Sequence, residues 1–161
     1  YNRITRGAEH VQQSPTYLKS AMENYFALEK LRNNKPRHAE TIYRRLMNEL
    51  HPSNTNSNTN GNHDDGCTQH KDCEFSQLAV PTLLLGLLLQ REGRFEDART
   101  VFEGFSHALE QANNNTNKPH ACCCSARVLQ AHALFEMKQD NPVRAVELIR
   151  RAIRMDRNLR P

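Results

Sequence analysis

From Leu78 to Gln111 the chain reads LAVPTLLLGLLLQREGRFEDARTVFEGFSHALEQ, and its apolar residues fall into two different helical patterns. Leu83, Leu84, Leu85, Leu87, Leu88 and Leu89 are apolar nearly all round, as in a helix packed on several sides. Gly86 interrupts that run. Glycine costs a helix interior about 1 kcal/mol against alanine, so its presence here points to close approach by a neighbouring helix. Gln90 to Arg94 is a polar break in which Gly93 can take the left-handed conformation that ends a helix. A second, amphipathic helix follows. Phe95, Ala98, Val101, Phe102 and Phe105 share one face of it, and Glu96, Asp97, Arg99, Thr100 and Glu103 the other.

The flanking segments repeat this alternation. Ser14-Pro15 starts a helix, with serine as cap and proline at the first helical position. Its apolar side is expected to be Leu18, Met22, Tyr25 and Phe26, extended by Leu28 and Leu31. Asn33 to Pro36 breaks it, and a helix from Arg37 to Leu50 presents Ala39, Ile42, Tyr43, Leu46 and Leu50. The last pair starts near His120 and carries Val128, Ala131, Leu134 and Phe135. After a turn over Met137 to Asn141, Asn141 is expected to cap a helix that Pro142 opens, with Ala145, Val146, Leu148, Ile149, Ala152 and Ile153 as its apolar face. Tyr1 to Gln13 is polar and weakly periodic.

The central stretch resembles a tetratricopeptide repeat, a helix-turn-helix unit of about 34 residues. Leu85-Gly86 stands at that family's leucine and small residue, Leu89 at an aromatic site and Gly93 at its turn glycine. Phe95, Ala98 and Phe102 match the aromatic, alanine and aromatic of the second helix, whereas Thr82 and Phe105 depart from the usual tryptophan and alanine. In the first unit Ala27, Ala39 and Tyr43 can stand at the matching places, without the turn glycine. In the last, Ala145 and Ala152 match the two second-helix alanines, and the first-helix small residue is Ala131, His132 or Ala133. The resemblance implies an all-α chain of antiparallel hairpins, a short right-handed solenoid with units at about 14–50, 78–111 and 120–157.

Ala39, Ala98 and Ala145 are 59 and 47 residues apart. The excesses over an uninterrupted period of about 34 match two polar tracts in place and length. One runs from about 51 to 75 and the other from about 112 to 119. The first is low in complexity and too poor in large apolar residues to offset its ordering entropy, so a mobile insertion is expected. It contains His63, Cys67, His70 and Cys73, side chains of the kind that bind zinc. Their spacing is not a finger pattern and no apolar shell surrounds them, so no metal site is expected.

The 161 residues carry a net charge of +4, and the mean hydropathy of -0.80 reflects the two asparagine-rich tracts. Five cysteines, three of them contiguous at Cys122, Cys123 and Cys124, suit a reducing, intracellular compartment better than a disulfide framework. Helical cysteines of this kind pack as small core residues. Asn114-Asn115-Thr116 is a glycosylation sequon, read as coincidence in such a compartment. The apolar run of the central helix is too short, with Pro81 and Thr82 in it, to predict a membrane span. A start at Tyr1 is expected of a processed protein or a piece of a longer one.

No phosphate loop, nucleophile elbow or carboxylate pair is present, and His107 and His132 fall within amphipathic helices. The expectation is a non-enzymatic protein-interaction scaffold without a cofactor, whose first helices line a concave surface for a protein segment or neighbouring subunit. Repeat packing falls to Leu85, Gly86, Gly93, Phe95, Ala98, Phe102, Ala145 and Ala152. The alternative is RNA binding through the basic last helix, with Arg150, Arg151, Arg154 and Arg157 as the patch. A chaperone-binding clamp is disfavoured, because Lys19 and Asn24 lack that group's spacing.

Overall fold

A computed structural model describes residues 15–51, 74–115 and 123–159. Among these residues there is no strand. The helices are α1 (Pro15–Arg32), α2 (Pro36–Glu49), α3 (Glu74–Arg91), α4 (Phe95–Asn115), α5 (Cys123–Lys138) and α6 (Pro142–Met155), with one 3-10 turn at Arg157–Leu159. They pair as three hairpins, α1 with α2, α3 with α4 and α5 with α6, and α3 also packs on α2, α5 and α1.

Each hairpin is closed by the same turn. Asn34, Gly93 and Asp140 all have positive φ, at 54°, 76° and 56°. The N–H of the next residue, Lys35, Arg94 or Asn141, returns to the carbonyl of Lys30, Leu89 or Glu136 at 2.9 Å in each case. Asparagine and aspartate tolerate the left-handed region better than other side chains, so the first and third turns manage without glycine. Pro36 and Pro142 open the second helices of those hairpins, where a missing N–H costs nothing. Asn141 stands at the cap position of α6, but its side chain makes no cap hydrogen bond and serves elsewhere.

The turns are spaced by 59 and 47 residues, and the same offsets align the first helices. Ala27, Gly86 and Ala133 are equivalent and all buried, which assigns the small residue of α5 to Ala133. Gly86 lies under Phe102 of α4: a Cβ added there would stand 2.4 Å from the ring. Leu85, Leu89, Ala98, Phe102, Ala145 and Ala152 are buried. Around them Phe105, Leu109, Leu129 and Phe135 complete one contiguous core.

Three expectations are corrected. The polar tract expected over 51–75 ends earlier, because α3 begins at Glu74 and Phe75 is fully buried against Phe105, their ring centroids 5.8 Å apart. The tract expected over 112–119 starts later, because α4 runs to Asn115. A helix already nucleated over the buried Ala108 and Leu109 adds a hydrogen bond per residue, which carries it into poor helix formers. The third correction is the side of α1 expected to be buried. Leu18, Met22, Tyr25, Phe26 and Leu28 are between 40 and 61% exposed, while the buried residues of α1 are Ser20 and Ala27. Among the described residues α1 packs mainly on α2 and more lightly on α3, and what it buries there is its small-residue side.

Candidate functional site

Two features of the surface and joints stand out. The first is the pair of joints between hairpins. At the first joint the Arg94 guanidinium donates to both oxygens of Glu40 in α2, Nη1 to Oε2 at 2.6 Å and Nη2 to Oε1 at 3.1 Å. Its Nε donates to Asp97 at 2.7 Å. Those hydrogen bonds hold the Glu40 carboxyl below its ordinary range and push the Arg94 guanidinium higher still. At the second joint Arg99 Nε of α4 donates to Glu136 Oε1 of α5 at 2.9 Å, and its guanidinium lies 5.6 Å from the Phe135 ring centre. Asn141 Nδ2 completes the set, donating to Glu136 Oε2 at 3.0 Å. Burial pushes the Glu136 carboxyl up, but the hydrogen bonds from Arg99 and Asn141 outweigh it and hold the group below its ordinary range.

Glu40 and Arg99 occupy equivalent positions of α2 and α4, 59 residues apart. One position of the second helix thus reaches the next hairpin at both joints, as an acid in the first and a base in the second. Its equivalent in α6 is Val146, which is 47% exposed.

His132 lies beside this network, fully buried and stacked on Phe102 with ring centroids 5.3 Å apart. Its Nε2 is 3.4 Å from Glu136 Oε1, but neither ring nitrogen makes a hydrogen bond. Burial is the main cause that lowers its pKa to about 4, with the Arg144 and Arg99 charges in the same direction and Glu136 opposing. A folded pKa below the ordinary 6.5 means that stability is complete above pH 6.5 and falls as pH drops toward 4. The chemical denaturation midpoint is therefore expected to decline over that window, and to flatten in His132→Leu, the residue type at the equivalent Leu85. An equal decline in both proteins would refute the assignment to His132.

The second feature is the outer face of the first helices. Leu28, Leu87 and Leu134 stand at one register position of α1, α3 and α5, and are 40, 50 and 57% exposed. Because α3 touches both α1 and α5, these leucines form a row across neighbouring helices.

The other residues singled out from the sequence divide clearly. Phe95, expected among the packing residues, is 42% exposed at the position held by Pro36 and Pro142 in the other hairpins. The basic patch is broken, because Arg151 turns inward to pair with Glu110 of α4 and reaches the Ser106 carbonyl, while Arg150 and Arg154 remain exposed. The side chain of Arg157 lies outside the described residues, as do His63, Cys67, His70, Cys73 and Cys122; Cys124 is half-buried. Among the described residues no group of three or more His, Cys, Asp or Glu could hold a metal ion. No helix there is long and apolar enough to cross a membrane. His107 is exposed and meets Gln111 at 2.9 Å.

Sequence reasoning missed Glu136. The signal was available, since the 47-residue offset puts it at the position of the buried Leu89, where a carboxylate requires a partner. Comparison of the chain with family models, curated proteins and solved structures gives no significant match.

Proposed function

We propose that the chain is a non-enzymatic protein-protein interaction scaffold, built as a short right-handed solenoid of tetratricopeptide-like hairpins and working as a piece or subunit of a larger assembly. The observation that carries this reading is the row Leu28, Leu87 and Leu134, exposed at one position of three neighbouring first helices. Single exposed leucines need no explanation, but leucines exposed at the same position of three neighbouring helices favour an interaction surface. The polar groups at the joints support the same reading, because Glu40, Arg94, Arg99 and Glu136 are spent on joining hairpins. RNA binding by the last helix is weaker, since Arg151 is engaged by Glu110.

The test is site-specific photo-cross-linking in the native cells, with the reactive group at position 87 or at the exposed position 103 of α4. Discrete protein adducts are expected from 87 and not from 103. Adducts of equal yield from both positions, or none from 87, would overturn the reading.

A further inference from the structure

We infer that the face of the first helices takes an acidic amphipathic helix of a partner protein, its aliphatic side chains on Leu28, Leu87 and Leu134 and its carboxylates on Arg32, Arg91 and Lys138. This rests on the interaction reading above and names the chemistry of the partner.

The second row follows from the same register. Arg32, Arg91 and Lys138 are spaced by 59 and 47 residues, and each lies four residues after its leucine, hence on the same side of its helix. All three are exposed. None makes an ion pair or side-chain hydrogen bond among the described residues, in contrast to Lys19, Arg44, Arg45, Arg94, Arg99, Arg144 and Arg151. A cation in the last turn complements the helix dipole, which accounts for a base at each helix end. It does not account for an exposed leucine one turn earlier in all three. On the other side of the leucines stand Tyr25, Leu84 and Ala131, so no carboxylate interrupts the face at any of these positions. The surface is thus an apolar row bordered by exposed positive charge that pairs with no described residue, complementary to an apolar stripe bordered by acids.

Spacing favours a helix as the occupant. Packed helices lie about 8 to 10 Å apart. Seven residues of α-helix span about 10.5 Å, so side chains at i, i+7 and i+14 meet successive leucines. A strand repeats one face about every 7 Å and drifts out of step.

The probes are three synthetic helical peptides of roughly 18 residues: one with leucine at every seventh position flanked by glutamate, its lysine-flanked twin, and a scrambled acidic control. Binding to the full chain is read by fluorescence anisotropy, with circular dichroism as the check on folding of each variant. The acidic probe is expected to bind, to weaken about tenfold in the triple variant Arg32→Glu, Arg91→Glu and Lys138→Glu, and to weaken with added salt. The lysine twin should bind that triple variant in preference to the parent chain, and Leu87→Ser should weaken both. Equal binding of the acidic probe to parent and triple variant would overturn the assignment, as would tighter binding of oligouridine than of the acidic probe. Should both charged probes bind the parent chain equally and be lost in Leu87→Ser, the charge assignment fails while the docking surface stands. No probe binding with cross-links from position 87 intact rejects the helical partner alone, and loss of both rejects the interaction reading with it.

Discussion

Arg99→Leu is expected to destabilise the fold by about 3 kcal/mol, the cost of leaving a buried carboxylate without its cation. Glu136 is only 1% exposed and has two donor side chains, Arg99 and Asn141. Removing the arginine leaves one neutral donor on a charge that water cannot reach. The companion variant Arg99→Leu/Glu136→Leu should recover most of that loss, because replacing both partners of a buried pair by apolar groups is often neutral. The equivalent Leu89 shows that leucine is accommodated at this position of a first helix. Chemical denaturation at neutral pH decides it: a double variant no more stable than the single one would show that the arginine acts by packing on Phe135 and not by its charge.

Gly86→Leu is expected to cost on the order of 1 to 3 kcal/mol by overpacking, and Gly86→Ala a smaller part of it. A Cβ at this position meets three atoms of the Phe102 ring between 2.4 and 2.9 Å away, and that ring is itself held between Gly86 and the stacked His132. Phe102→Leu should relieve the clash, so Gly86→Ala/Phe102→Leu is expected to lose less than the sum of its single variants. Gly104 is the internal control. It lies in the same helix pair with nothing within 4 Å of an added Cβ, so Gly104→Ala should gain up to about 1 kcal/mol from helix propensity. An unchanged midpoint for Gly86→Leu would contradict the close approach of α3 and α4.

Periodicity made the helices and their breaks legible because apolar spacing reports which residues share a face. It does not report what covers that face. Leu18, Met22, Tyr25 and Phe26 do lie along one side of α1, yet that side is exposed, since the helices packed on α1 approach its small residues. Boundaries failed for a related reason. Phe75 and Ala108 to Leu109 are anchored by long-range packing, which extends α3 backwards and α4 forwards into sequence whose composition alone reads as loop. The turns without glycine and the buried Glu136 needed the register itself, read residue by residue across offsets of 59 and 47. Of the interaction face, the leucines were visible in the sequence only as further core candidates; their exposure is a property of the packing.

The opposite signs at the two joints make the hairpins non-interchangeable. If the second hairpin followed a copy of itself, Arg99 would find Leu89 at the position of Glu136 and Arg94 at the position of Asn141, with no carboxylate at either. If the third followed the first directly, Glu40 would meet Glu136. Either permutation removes the opposite-charge pair that the native order provides at that joint, so the order of the hairpins is written into the joints. A chain in which hairpins are shuffled or exchanged between copies is penalised at its joints even though every hairpin keeps its internal helix pairing. Consensus redesign that equalised these positions would erase that order along with the charges.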